Sequence, residues 1–131
     1  LPDTLLTEQL TYDILSKLDT TLSDLKDSID AITSTFETTG VGDGRKTVSS
    51  AGTREKLVAS STPCKWVCIC AMKTNTGIVV VGSNTVVAAE ATRRGIPLEK
   101  GESVRIDIDD LSKIYLDVTV NGEGVTFIYG T

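Results

Sequence analysis

Residues 15–36, LSKLDTTLSDLKDSIDAITSTF, decide how the chain is organised. Apolar side chains fall at Leu15, Leu18, Leu22, Leu25, Ile29, Ile32 and Phe36, at spacings that alternate between three and four. That is a heptad repeat. With Leu15 at position a, residues Leu15, Leu22, Ile29 and Phe36 occupy a and Leu18, Leu25 and Ile32 occupy d. A helix lying on a globular core carries a wider apolar stripe that reaches into e or g. Here e holds Asp19, Lys26 and Thr33, g holds Thr21, Ser28 and Thr35, and Lys17, Asp24, Asp27 and Asp30 lie further out. The pattern predicts an α-helical coiled coil about 33 Å long at ~1.5 Å per residue. Three heptads are marginal in isolation, so the seam needs other polypeptides. The alternatives are docking on the protein's own β domain or on a foreign helix. Small uncharged flanks suit a seam buried more widely than in a dimer, which favours a homotrimer.

Upstream, Leu5, Leu6, Leu10, Tyr12 and Ile14 are apolar but leave the register, because Glu8 and Thr11 fall at a and d. Thr4 or Thr7 is the expected N-cap. The Leu5, Leu6 and Leu10 cluster is a separate contact surface for another protein.

Residues 37–53 contain four glycines and hardly an apolar side chain, with no periodicity, and read as a flexible Gly/Ser/Thr linker. As a coil it spans roughly 20–25 Å. The run Gly40-Val41-Gly42-Asp43-Gly44 is no phosphate loop: it follows a helix rather than a strand, and no Gly-Lys-Ser/Thr comes at the required spacing.

Beyond Arg54 the period changes to two. Lys65 to Met72 is apolar on both faces after its first residue, as in a central strand, and Trp66 is expected in the core. Asn75-Thr76-Gly77 is a turn into Ile78–Val81, and Gly82 to Thr85 reads as a hairpin loop into a strand at Val86–Ala89. Pro97 to Glu102 is a loop. Ser103 to Ile108 alternates with Val104, Ile106 and Ile108 inward, and Lys113 to Val120 does so with Ile114, Leu116, Val118 and Val120 inward. Asn121-Gly122-Glu123-Gly124 turns the chain into Val125–Tyr129, and Leu57-Val58 adds a short segment. Six to eight short strands at this spacing predict a small antiparallel β-sandwich or barrel over residues 54–131. The fold class is an N-terminal α-helical coiled coil at residues 1–36 plus this all-β domain. A domain of about 80 residues is marginal in stability without help such as oligomerisation.

The chemistry is sparse. With no histidine, Ser-His-Asp and Cys-His nucleophiles and the commonest metal ligand are missing. Cys64, Cys68 and Cys70 are expected to be small buried hydrophobes; Cys68 and Cys70 lie two apart on one strand, about 6.5–7 Å from each other, beyond disulfide reach. Asp107, Asp109 and Asp110 could hold a hard cation, but the simpler reading has Asp107 facing solvent and Asp109-Asp110 capping a turn. Arg93-Arg94-Gly95 is a solvated basic turn. No catalytic residue, cofactor or metal site is expected.

Thirteen Lys and Arg against eighteen Asp and Glu give a net charge of −5, without the basic footprint that nucleic acid requires. No run approaches the ~20 apolar residues that cross a bilayer. Leu1-Pro2-Asp3 resembles no secretory leader, and a soluble chain is expected, with neither nucleic acid nor membrane as partner.

The segments 75–82 (NTGIVVVG), 95–103 (GIPLEKGES) and 110–115 (DLSKIY) resemble small β modules of tailed-bacteriophage virions, such as capsid decoration, head-fibre and tail-adaptor proteins. The resemblance covers roughly residues 53–129. It implies a non-catalytic virion part present in many copies, assembled in the host cytoplasm beside other virion structural proteins, with no active-site residues to carry over. A stalked β domain that recognises a glycan or host surface receptor is the alternative.

Overall fold

The computed structural model describes residues 3–131; the side chains of residues 3–5 and 34–36 fall outside the description. The seam position Phe36, the flank position Thr35, the cap candidate Thr4 and the side chain of Leu5 are therefore outside the described residues. The chain divides into two compact units, Leu1–Glu37 and Thr38–Thr131.

The first unit is one helix, α1 (Asp3–Phe36), of 34 residues. No glycine or proline interrupts it, and at ~1.5 Å per residue it runs about 51 Å. It begins before Thr7, so that N-cap candidate sits inside the helix instead. The break in the heptad register at Glu8 and Thr11 does not break the helix, because backbone hydrogen bonding continues wherever the apolar stripe points.

The second unit holds β1 (Val41–Thr47), β2 (Glu55–Lys56), β3 (Trp66–Ala71), β4 (Val79–Gly82), β5 (Ile96–Leu98), β6 (Ser103–Ile106), β7 (Tyr115–Val118) and β8 (Gly124–Gly130). They form two antiparallel four-stranded sheets, ordered β1-β8-β3-β6 and β2-β7-β4-β5. Each sheet ends in two edge strands, so neither closes into a barrel. One core draws on both sheets: Val67, Ile69, Val125 and Phe127 from the first, Val79, Val81, Leu116 and Val118 from the second. Fully burying such side chains supplies ~1.5–3 kcal/mol each before the entropy of ordering the chain is subtracted.

The expected linker at 37–53 is overturned by β1, which pairs along its whole length with β8, from Val41 opposite Gly130 to Thr47 opposite Gly124. The reason lies in β8. Tyr129 and Phe127 lay their rings over Gly42 and Gly44, where any Cβ would collide with them. The inward positions of β1 are thus filled by side chains from the neighbouring strand, an arrangement known to rescue glycine in sheets. Val48, at 0 % exposure, continues into the core. Residues 49–53 form a turn held by Ala51 N donating to Asn121 Oδ1 at 2.7 Å and Gly52 N donating to Asp117 Oδ1 at 2.9 Å.

Further corrections concern the second sheet. Val86–Ala89 is not a strand: only Val87 bridges, to Arg94. This loop instead folds over the outer face of the sheet, where Val86 and Ala88 bury against Val80. Ile96–Leu98, whose Pro97 and Leu98 were expected to begin a loop, is an edge strand, a place that tolerates Pro97 because one flank needs no donor. Leu111–Lys113 is a single 3-10 turn before β7. Val120 is exposed rather than inward, whereas Asp117, between two buried neighbours, is itself buried.

Candidate functional site

The spacing of three and four residues sets Leu15, Leu18, Leu22, Leu25, Ile29 and Ile32 along one side of α1. Leu15, Leu18, Leu22, Leu25, Ile29 and Ile32 are 53–60 % exposed, as are Leu6, Leu10, Tyr12 and Ile14 to a similar or larger degree. The flanks add a detail the sequence hides. At the g positions, Thr21 Oγ1 donates to Lys17 O at 2.9 Å and Ser28 Oγ to Asp24 O at 3.0 Å. Hydroxyls that spend their donors on their own helix lose less when covered, so the flank can be buried more widely than its composition suggests. The charge at e is used along the helix, Lys26 Nζ lying 2.7 Å from Asp30 Oδ2 in an exposed pair that contributes little.

The cysteines separate. Cys64 is buried and its Sγ lies 3.2 Å from Ile108 O; burial, with Asp110 and Asp109 nearby, raises its pKa. Cys68 and Cys70 are only half-buried, on the outer face of β3, and do not join the core as expected. All three are free thiols. Among the described residues, no group of three or more His, Cys, Asp or Glu could hold a metal ion.

The three aspartates are employed singly. Asp110 accepts from Thr62 N, Ser112 N and Ser112 Oγ at 2.8–2.9 Å and also from Ser61 Oγ, and these donors hold its carboxyl far below the ordinary range. It caps the 3-10 turn and ties it to residues 61–62. Asp109 pairs with Lys113 at 2.7 Å, and Asp107 lies 3.4 Å from Arg105 Nε in the open. Arg93, expected in a solvated turn, donates from Nε and Nη2 to Ala88 O and closes the loop over the second sheet.

Two features escaped the sequence. The first is Asp117, 1 % exposed, which accepts from Gly52 N, Ala88 N and Val118 N at 2.8–2.9 Å and so pins two loops to β7. The second is the outer face of the first sheet, which within the Thr38–Thr131 unit is covered only at its Gly130 end, by Thr38 and the Trp66 ring. It presents Val41 and Ile128 at 66 % and 43 % exposure, with Trp66, Cys68 and Cys70 half-buried between them. Trp66 is therefore not a core residue: its Nε1 donates to Thr38 Oγ1, and the Arg105 guanidinium lies over its ring at 5.2 Å. Cys68 and Cys70 alternate with Val67, Ile69 and Ala71, so both faces of β3 read as apolar and the sequence could not say which was inside.

A polar cleft of about 520 Å³ opens among Asn75, Thr76, Glu90, Arg93, Glu99 and Lys100. It holds no aromatic ring on which a sugar could stack. No helix among the described residues is long and apolar enough to cross a membrane. No protein-family model, no curated protein and no solved structure matches the chain.

Proposed function

We propose that the chain is a non-enzymatic structural protein of a phage virion, which decorates or cements the capsid, or forms part of a head fibre or tail adaptor, through an oligomeric N-terminal coiled coil. The observation that carries this reading is the exposed seam on α1. Six large apolar side chains in heptad register, on a helix without a break, form a surface that water penalises and that a second and third copy would cover. The back-bonded Thr21 and Ser28 favour three strands over two, since a trimer buries its flanks more deeply. On this reading the two sheets pack face to face as a small sandwich over their shared core, and other virion structural proteins are the partners. The absence of histidine supports a role without catalysis.

Sedimentation equilibrium of the full chain, beside a fragment beginning at Thr38, tests the helix. The full chain should sediment as an oligomer, with the trimer as the leading species, and the fragment should lose that state. A full chain that stays monomeric would overturn the proposal. Electron cryomicroscopy of intact particles, with the protein present and depleted, tests the virion assignment; identical particle density in both removes it.

A further inference from the structure

The uncovered face of the first sheet carries an ordered charge pattern. Strand pairing sets its side chains in rows that run across the sheet from β1 to β6. In the first row Val41, Gly130 and Trp66 are neighbours; in the second, Asp43, Ile128, Cys68 and Arg105; in the third, Arg45, Thr126, Cys70 and Ser103. The second row is apolar in the middle, with an acid at one end and a base at the other. The Asp43 carboxylate makes no ion pair among the described residues.

We propose that this face docks on the same face of a second copy, about a twofold axis parallel to the strands. That rotation lays each row over itself reversed. Asp43 then faces Arg105 of the second copy, and Arg105 faces its Asp43, so two ion pairs close at once. Ile128 meets Cys68 and Thr126 meets Cys70, while in the first row each Trp66 ring already lies over the Gly130 of its own chain, hydrogen-bonded to Thr38, and the two indoles meet at that end of the interface. The other in-plane twofold, across the strands, would set Asp43 on Asp43 and Arg105 on Arg105, and like charges placed opposite cost several kcal/mol. The charge pattern therefore selects one axis of the two. Stacked sheets keep their strands within ~30° of each other, so the central rows stay in register.

The size of the face fits a reversible pair rather than an obligate one. With strands ~4.8 Å apart and ~3.4 Å per residue, it measures roughly 14 Å between the outer strand axes and about 20 Å along β8. Side-chain margins bring this to roughly 500 Å² per copy, about 1,000 Å² in total, at the lower edge of specific protein contacts. The second sheet offers no such surface, because the loop carrying Val86 and Ala88 already covers it. The inference stands apart from the helix seam, and a chain that used both surfaces would link different neighbours through each.

Charge reversal in the full chain tests it, with the seam disabled by Leu18→Asp and Leu25→Asp so that only the sheet face can associate. Sedimentation equilibrium up to about 1 mM should then show a monomer–dimer equilibrium. Asp43→Arg alone and Arg105→Asp alone should each weaken the dimer at least about tenfold, and the two together should restore it to within about threefold, because the reversed pair again meets its opposite. Ile128→Lys, at an exposed position, should abolish the dimer with thermal unfolding unchanged. A strict monomer, or a double variant no better than either single one, overturns the proposal; the latter is also the outcome if a helix, and not a second sheet, occupies the face. The Asp43→Arg chain with its seam intact reports separately on the helix: if it is monomeric, helix association has failed, while the face is judged on the seam-disabled chain.

Discussion

Gly44 lies beneath the ring of Phe127, its neighbour across the β1–β8 ladder, and the same relation holds between Gly42 and Tyr129. The two rings stand 6.2 Å apart and roof the inner side of an edge strand that brings almost no side chains of its own. Gly44→Val should therefore destabilise the β unit by roughly 1–3 kcal/mol through overpacking. Urea unfolding measures it. In a Phe127→Leu background the penalty of Gly44→Val should shrink, and the difference is the coupling between the two positions.

Asp117 supplies three hydrogen bonds from a position closed to water. Asp117→Ala should cost about 3 kcal/mol or more, since the N–H groups of Gly52, Ala88 and Val118 are left with no acceptor. Hydrogen exchange should show the loss locally, with faster exchange at Gly52 and Ala88 than at the core amides of β3. Equal acceleration across the unit would contradict a pinning role.

Acid should weaken the β unit through three carboxylates. Ser49 N at 2.9 Å and Lys46 Nζ at 3.1 Å lower the pKa of Glu55. For Glu123, burial pushes upward but is outweighed by Thr76 N and Gly77 N, and Asp110 is lowered by the Ser61 hydroxyl and the other donors around it. A carboxyl whose pKa is lower folded than unfolded binds fewer protons in the native state, so stability rises with pH across that interval. Tm should be level above about pH 5 and should fall as the pH drops through the ordinary carboxylate range near ~4. Glu123→Gln should lower Tm at pH 7 and flatten the profile. A Tm that rises toward pH 3 would refute the assignment.

Thiol accessibility should divide the cysteines two to one. Cys64, buried and with a raised pKa, should resist a thiol reagent until the protein unfolds, while Cys68 and Cys70 react in the native state. Peptide mapping after brief alkylation reads the difference.

If the helices associate as proposed, Leu18→Asp with Leu25→Asp should lower the helical circular dichroism of the full chain as well as its mass, because a seam of this length would gain much of its helicity from association. The β unit's unfolding midpoint should stay where it was.

The helix was legible because a period of 3.5 is written in side chains that nothing else contributes to. Strands β6, β7 and β8 were legible for a similar reason, since alternating apolar side chains fill their own inward positions, and β3 and β4 stood out as short runs apolar on both faces. β1 was not legible, because its inward positions are Gly42 and Gly44 and the atoms that fill them belong to Phe127 and Tyr129, more than eighty residues later. Glycine recurring at every second position, between Val41, Asp43 and Arg45, was the one local sign of a strand. Asp117 was missed because alternation assigns its position to the outer face, correctly, but does not reveal that the Val86–Ala88 loop seals that face from water. The same ambiguity hid the uncovered face of the first sheet, where Trp66, Cys68 and Cys70 looked as apolar as the core.

The two ends of the β unit are fastened to each other: Thr131 N donates to Gly40 O at 2.9 Å, and Thr39 N donates to Thr131 O at 2.6 Å. A fluorescent protein or peptide tag joined after Thr131 would therefore emerge beside Thr39 and Gly40, where the chain enters the β unit. The turn at Gly122, with φ +80° and open space around it, lies at the far end of β8 and would carry a graft outward. Within the β unit, an insertion at this turn would thus stand apart from the paired ends, whereas a fusion after Thr131 would not.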